Sequence, residues 1–163
     1  MAVLLLNACD NDADSNSDVD VNYDSELDSV IQLCNDLSVF FQIRDDFINI
    51  FSVRFAEQKG FAEDMTEGKF SFLVVHAIQT LKRAKDTAAV DELIKILGMH
   101  SEEASVKQRG VDLLVQGGCL QYTKKYLNEL RDRILAQVEK MGGNPRVVKI
   151  MEALQKDLAD IRD

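Results

Sequence analysis

The sequence contains little proline and little cysteine, and it has no apolar run long enough to cross a membrane. Its 163 residues include a single proline and are 46% hydrophobic, which favours a helical globular protein over a disordered one. Its three cysteines, Cys9, Cys34 and Cys119, are odd in number and have no paired spacing. They therefore indicate a reducing compartment and provide neither a zinc site nor a disulfide framework. One domain is expected at this length.

Basic residues are missing from the first part of the chain. Of the 28 acidic residues, eight lie in residues 1–30, where no Lys or Arg occurs. The other 20 acidic residues nearly balance the 19 basic ones, although the formal net charge is −9. The acidity is therefore local, and the remainder carries no basic field that would attract nucleic acid. We expect no nucleic-acid partner.

We expect neither a signal peptide nor a membrane span in the N-terminal residues. Met1–Leu6 is apolar, but it is short, has no basic n-region, and is followed within a few residues by acidic ones. This pattern predicts a soluble cytoplasmic protein without a transmembrane segment. Residues 2–9 are compatible with the end of a short helix.

Residues 10–24 are acidic and of low complexity, which predicts a solvated, mobile loop. A calcium-binding loop starting at Asp12 would require Gly at its sixth position and Glu at its twelfth. Those positions hold Ser17 and Tyr23, so the calcium alternative is disfavoured. Residues 1–24 are thus expected to be a short apolar segment and an acidic loop that precede the helical domain, residues 25–163.

Apolar periodicity and helix-stop residues predict an all-α fold, because no segment alternates like a strand. The predicted helices are Ser25–Gln58, Phe70–Ala84, Thr87–Leu97 ended by Gly98, one capped by Ser101 and ending at Gln116, Leu120–Met141, and one capped by Asn144 with Pro145 in its first turn. A polar connection is expected from Lys59 to Lys69. Tyr122, Tyr126 and Leu130 are expected in the core, and His76 in the interior or at its boundary.

The stretch Leu37–Phe51 carries a narrow polar row on an otherwise apolar helix. At about 100° per residue, one stripe collects five polar side chains: Ser38, Gln42, Asp45, Asp46 and Asn49. An ordinary surface helix has the opposite proportions, with a limited apolar face. The stretch is therefore predicted to be buried nearly all round, with carboxylates and amides along one line.

Asp45 and Asp46 must be paired, hydrogen-bonded, metal-bound or protonated if they lie among apolar side chains. The same stripe offers no Lys or His as a partner. Carboxylate and amide oxygens are ligands that Mg²⁺ prefers. The alternative is a helix end or wet groove in which both carboxylates are merely solvated, and the pattern alone leaves both interpretations open.

Three segments together resemble the trans-prenyltransferases, the polyprenyl synthetase family. They are F-F-Q-I-R-D-D-F-I-N from Phe40 to Asn49, E-D-M-T-E-G-K-F-S-F from Glu63 to Phe72, and M-G-G-N-P from Met141 to Pro145. The resemblance is closest to the C-terminal half of eukaryotic geranylgeranyl diphosphate synthases. It implies a partial isoprenoid-synthase helical bundle and a role in isoprenoid biosynthesis.

The resemblance also assigns roles to six residues. It implies that Asp45 and Asp46 are catalytic, that Asp45, Asp46 and Asn49 hold Mg²⁺, and that Gln42, Lys59 and Lys69 bind the substrate diphosphate. The implied reaction condenses isopentenyl diphosphate with an allylic diphosphate: the diphosphate departs, the isopentenyl double bond attacks the allylic cation, and a proton is lost. Divalent metal and fixed cations favour that departure by neutralising the leaving group.

The first aspartate-rich motif of the family does not occur in this chain, so two interpretations follow. One is a synthase-like chain that is active only with the missing N-terminal half. The other is a non-catalytic interaction subunit that pairs with a full-length synthase. Half of a helical barrel would leave Phe41, Ile48 and Val75 uncovered, which predicts a homo-oligomer or a hetero-oligomer with a full-length synthase.

Overall fold

A computed structural model describes residues 19–52, 56, 60–159 and 161 of the chain. The expected helical end at residues 2–9, the expected acidic loop up to residue 18, and Lys59 lie outside the described residues. No helix within the described ranges is both long enough and apolar enough to span a bilayer.

The described residues form seven α-helices and no strand, so the predicted all-α class is confirmed. The helices are α1 (Val19–Phe51), α2 (Glu63–Thr66), α3 (Phe72–Arg83), α4 (Thr87–Met99), α5 (Ala104–Gln116), α6 (Cys119–Lys140) and α7 (Pro145–Ala159). Asn144 caps α7 as predicted, because its Oδ1 accepts from the backbone nitrogens of Arg146 and Val147 at 3.1 and 3.3 Å.

The first predicted helix differs at its ends. It begins at Val19 rather than Ser25, so the last residues of the expected acidic loop are helical. It ends at Phe51, whereas the prediction extended it to Gln58, which lies outside the described residues. Acidic residues are favourable in the first turns of a helix, and this explains why local acidity did not prevent helix formation.

The junction between α4 and α5 corrects two predicted helix ends. Gly98 does not end α4, which continues to Met99. The residue with left-handed backbone conformation is His100, with φ of 48°, and its Nδ1 lies 3.0 Å from the carbonyl oxygen of Thr66. Ser101 does not cap α5 directly, because the N-cap residue is Glu103. The contact between His100 and Thr66 therefore fixes the end of α4, which the prediction from Gly98 had placed at Leu97.

The chain divides into two compact units, residues 1–32 and 33–163. In the larger unit, α3 packs against α4, α5 and α6. Its core combines side chains from α1, α4, α5 and α6 that are fully or almost fully buried, among them Phe40, Phe47, Leu93, Leu113, Leu130 and Ile134. This core packs against one side of α1. The polar side chains of α1 lie outside the core and can contact other segments.

The apolar side chains that were expected to be uncovered behave differently from one another. Val75 is 42% exposed and Phe41 is half-buried, but Ile48 is only 7% exposed and belongs to the core. The prediction was wrong for Ile48, since side chains of the same unit cover this part of α1. Tyr122 also departs from expectation, because it is 43% exposed rather than in the core.

An ion pair between a buried aspartate and an exposed arginine fixes α1 to α6 within the larger unit. Asp36 is 5% exposed, and Arg133 donates to its two carboxylate oxygens from Nε and Nη2 at 2.9 and 3.0 Å. Gln137 adds a third hydrogen bond at 2.8 Å. A bidentate, charge-assisted pair of this kind is directional. It therefore sets the rotation of α1 about its axis, and with it the direction of the polar residues that follow.

His76 joins α3 to α6 by stacking on Tyr122. The two ring centroids are 3.8 Å apart and the planes differ by 7°. His76 is half-buried, as expected for a residue at the core boundary. Burial lowers the pKa of His76, and the positive charge of Arg83 lowers it further. The folded protein therefore favours the neutral imidazole.

Acidification is expected to destabilise the fold through His76. The pKa of His76 is lower in the folded protein than in the unfolded chain. Its contribution to the free energy of unfolding is therefore complete above about pH 6.5 and is lost as the pH falls through the pKa of the folded protein. The free energy of unfolding, measured with urea at a series of pH values from 7.5 to 5, should show this loss in the wild type. The loss should be reduced in His76→Phe, which keeps an aromatic ring but cannot titrate. His100→Gln, as the control, should retain it. Identical pH profiles for His76→Phe and the wild type would contradict the assignment.

Candidate functional site

Lys69 connects two carboxylates that are distant in sequence. Its Nζ lies 2.5 Å from Oδ1 of Asp46 and 3.5 Å from Oδ2 of Asp64. The side chains of Asp46 and Asp64 are 4% and 12% exposed, whereas that of Lys69 is 37% exposed. The three residues form a charged cluster that reaches solvent through the lysine, and we call it the Lys69 cluster.

Two further residues of α1 hold this cluster in place. Gln42 donates from Nε2 to Oδ1 of Asp46 at 2.9 Å. Asn49 accepts at Oδ1 from the backbone nitrogen of Asp64 at 3.1 Å. Gln42, Asp46 and Asn49 are four and three residues apart, so they share one face of the helix. The structure therefore brings together four of the predicted site residues, which are Gln42, Asp46, Asn49 and Lys69.

Asp45 makes a different ion pair. Its Oδ1 accepts from Nη1 of the neighbouring Arg44 at 2.7 Å, and its side chain is 63% exposed. Adjacent helical residues point about 100° apart, so the two carboxylates of the motif leave α1 in different directions. The roles of all six predicted site residues, as catalytic groups, metal ligands or diphosphate ligands, remain predictions.

Asp64 was not predicted as a site residue, although it lies inside one of the motif segments. It belongs to α2, a helix of one turn that the apolar pattern did not reveal. Its backbone carbonyl accepts from the nitrogen of Lys69 at 3.0 Å, which turns the chain back toward α1. The signal that could have identified it is the acidic pair that precedes the lysine in E-D-M-T-E-G-K.

Burial and mutual interactions shift the pKa values of two groups in the Lys69 cluster. Burial raises the pKa of Asp64, and the nearby Asp46 raises it further, while Lys69 acts in the opposite direction. Burial also lowers the pKa of Lys69, but Asp46 and Asp64 together raise it above its usual value. Lys69 is therefore charged, yet one ammonium group faces two carboxylates.

The donor set fits Mg²⁺ held jointly with a substrate rather than a closed protein site. Among the described residues, no group of three or more His, Cys, Asp or Glu side chains is arranged to hold a metal ion. Mg²⁺, however, usually binds through one or two carboxylates together with waters and substrate phosphates. Asp46 and Asp64 supply two carboxylates, and the ammonium group of Lys69 lies beside them.

Comparison with known proteins identifies the family. A sequence model of the polyprenyl synthetase family matches residues 17–114, which is more than half of the chain. The chain belongs to the polyprenyl synthetase family. Two of the three motif segments, Phe40–Asn49 and Glu63–Phe72, lie inside the matched region. The predicted family resemblance is therefore confirmed.

Three known proteins are similar to most of the chain. A geranylgeranyl pyrophosphate synthase of Dictyostelium discoideum is 40% identical over 139 residues, covering 85% of the chain and 42% of the relative. One from Hericium erinaceus is 35% identical and covers 94% of the chain and 40% of the relative. A terpene synthase of Matsumurasca onukii is 37% identical and covers 78% and 39%. The chain thus spans about two-fifths of the length of these relatives.

Proposed function

We propose that this chain provides a diphosphate-binding surface for prenyl diphosphate synthesis of the geranylgeranyl diphosphate synthase type. The substrates would be an allylic diphosphate and isopentenyl diphosphate, and the setting would be cytoplasmic isoprenoid biosynthesis. The observation that supports this proposal is the convergence of Asp46, Asp64 and Lys69. Gln42 and Asn49 hold that cluster from the neighbouring turns of α1.

Mg²⁺ would be held by oxygens of Asp45, Asp46 and Asn49, with Asp64 as an additional ligand candidate. When bound, it would neutralise the diphosphate and make it a better leaving group. The Lys69 ammonium group, which lies 2.5 Å from Oδ1 of Asp46, would supply a fixed cation for the phosphate oxygens.

Chain extension would require the family's other aspartate-rich motif. The described residues contain one acidic cluster of this kind, so we expect weak binding of metal diphosphate and no extension until an N-terminal half is supplied. A full-length synthase would be the partner that supplies this motif, whereas pairing with a second copy of the chain would give a homo-oligomer without it. Cleavage of the carbon–oxygen bond, attack by the isopentenyl double bond and loss of a proton would follow in the assembled enzyme.

Calorimetry with inorganic diphosphate tests the binding step. The wild-type chain should bind diphosphate only when Mg²⁺ is present. Asp46→Asn should weaken this binding about tenfold or more, because it removes a charged ligand. Asp132→Asn is the matched control, since Asp132 is an exposed carboxylate on α6 that pairs with the adjacent Arg131. Its affinity should equal that of the wild type.

The alternative function is a non-catalytic subunit that binds another synthase. Val75 on α3 and Tyr122 on α6, which are 42% and 43% exposed, would contribute apolar area to such an interface. In that case the Lys69 cluster would be an inherited feature without a ligand. The same calorimetry separates the two functions, because a wild-type chain that produces no Mg²⁺-dependent heat with diphosphate would favour the subunit.

A further inference from the structure

Lys107 is a lysine on the buried face of α5. It is 6% exposed, whereas lysines are rarely buried unless they are paired. It lies three, four and seven residues before Gly110, Val111 and Leu114, all of which are buried. Its position therefore follows the apolar stripe of the helix, and its ammonium group must find partners inside the protein.

Those partners both belong to the segment that leads into the Lys69 cluster. Nζ of Lys107 donates to the carbonyl oxygen of Phe61 at 3.0 Å and to Oε1 of Glu63 at 2.9 Å. We call residues 60–69 the connecting loop. It contains α2, and Asp64 follows Glu63 directly. Lys107 thus attaches the connecting loop to α5 immediately before the residue that enters the cluster.

The opposite side of the connecting loop carries the functional contacts. The backbone nitrogen of Asp64 donates to Asn49 of α1 at 3.1 Å, and Lys69 pairs with Asp46 of α1. A second contact to α5 lies close by: a Cβ added at Gly110 would be only 2.9 Å from Sδ of Met65, which is 2% exposed. The loop is therefore held between α5 and α1, with a buried charge on one side and the site on the other.

We propose that Lys107 is a positioning residue for the diphosphate site. It holds the connecting loop in the conformation that brings Asp64 and Lys69 to Asp46. Its own ammonium group is enclosed and directed to Phe61 and Glu63, so it acts through the loop rather than on the substrate. This inference rests on the proposed function of the Lys69 cluster, but the loop contact can be tested without a ligand.

The ligand-free test is hydrogen exchange of the full chain, read by mass spectrometry. Lys107→Met removes the donors and keeps an unbranched side chain. Exchange in residues 60–69 should rise about tenfold or more relative to the other helices, because a buried charged hydrogen bond is lost. Arg109→Met is the matched control on the same helix. Arg109 pairs with Glu92 at the surface through contacts of 2.7 and 2.6 Å, and losing this pair should leave the loop unchanged.

The second readout is the affinity for inorganic diphosphate in the presence of Mg²⁺. Lys107→Met should weaken it about tenfold, and Lys107→Arg should recover part of the loss because it restores a buried donor. Arg109→Met, which removes the same unit charge, should bind like the wild type. Unchanged loop exchange in Lys107→Met, or an increase spread evenly over the chain, would overturn the positioning role. Failure of the wild type to bind diphosphate would instead overturn the proposed function, and the exchange result would then decide the role of Lys107 in the loop.

Discussion

Lys69→Met should change the binding of Mg²⁺ and of diphosphate in opposite directions. We expect the Mg²⁺-dependent affinity for diphosphate to fall about ten- to hundredfold, as for the loss of one hydrogen bond to a charged group. The affinity for Mg²⁺ alone should rise. These opposite effects follow from the two roles that the geometry gives to this lysine.

In the absence of substrate, Lys69 pairs with Asp46 and Asp64, and burial raises the pKa of Asp64. Removing the ammonium leaves two neighbouring carboxylates that attract a divalent ion more strongly. When diphosphate is present, the same ammonium would contact phosphate oxygens, so its removal weakens the complex. A lysine with only a structural role would not separate the two affinities in this way.

Calorimetry with MgCl₂ alone, and with inorganic diphosphate at fixed Mg²⁺, measures both quantities. Lys82→Met is the matched control, because Lys82 is exposed near the opposite end of α3, about 15 Å along the helix from Phe72. Lys69→Arg keeps the charge and guards against a folding defect. If Lys69→Met and Lys82→Met had equal affinities for diphosphate, Lys69 would have no part in binding it.

Helical periodicity placed Gln42, Asp46 and Asn49 on one face of α1, together with Ser38 and Asp45, but it did not show the cation that pairs with Asp46. The roles proposed for these residues came from the family resemblance. The stripe itself offered no cation, and the lysine that pairs with Asp46 comes from a segment 23 residues further on. Family resemblance named this lysine as a diphosphate ligand. It did not indicate that the lysine forms an ion pair with the motif itself.

Asp64 and Lys107 illustrate two different reasons for incomplete prediction. A helix of one turn, such as α2, is too short to show a period, so the position of Asp64 depends on contacts with α1 and α5. Lys107, in contrast, does carry a local signal. A lysine at the register of buried Gly110, Val111 and Leu114 indicates a buried charge, although its partners in the connecting loop could be found only in three dimensions.

Gly117 and Gly98 should respond to alanine in opposite directions. Gly117 ends α5 against α3, and an added Cβ would lie 2.6 Å from Cβ and 2.7 Å from Cα of Ala77. Because one of these atoms is backbone, the two helices would have to separate. Gly117→Ala should therefore lower the free energy of unfolding by about 1–3 kcal/mol.

Gly98 lies in the last turn of α4 and is exposed, and a Cβ added there would meet no atom within 4 Å. Gly98→Ala should raise the free energy of unfolding by about 0.5–1 kcal/mol, because alanine loses less conformational freedom in a helix. Urea unfolding monitored by circular dichroism compares both variants with the wild type.

Gly117 and Gly118 are glycines for different reasons: Gly117 because a side chain would clash, and Gly118 because its backbone angle is left-handed. Gly117 has φ of −72°, which any residue can adopt, whereas Gly118 has φ of 70° and only open space around its Cβ position. The sequence suggests a single helix stop, yet the two glycines serve different purposes.

Since α3 follows Lys69 closely in the chain, a displacement of α3 should also weaken diphosphate binding in Gly117→Ala but not in Gly98→Ala. Equal stability of the two variants would show that α3 and α5 do not require this close approach.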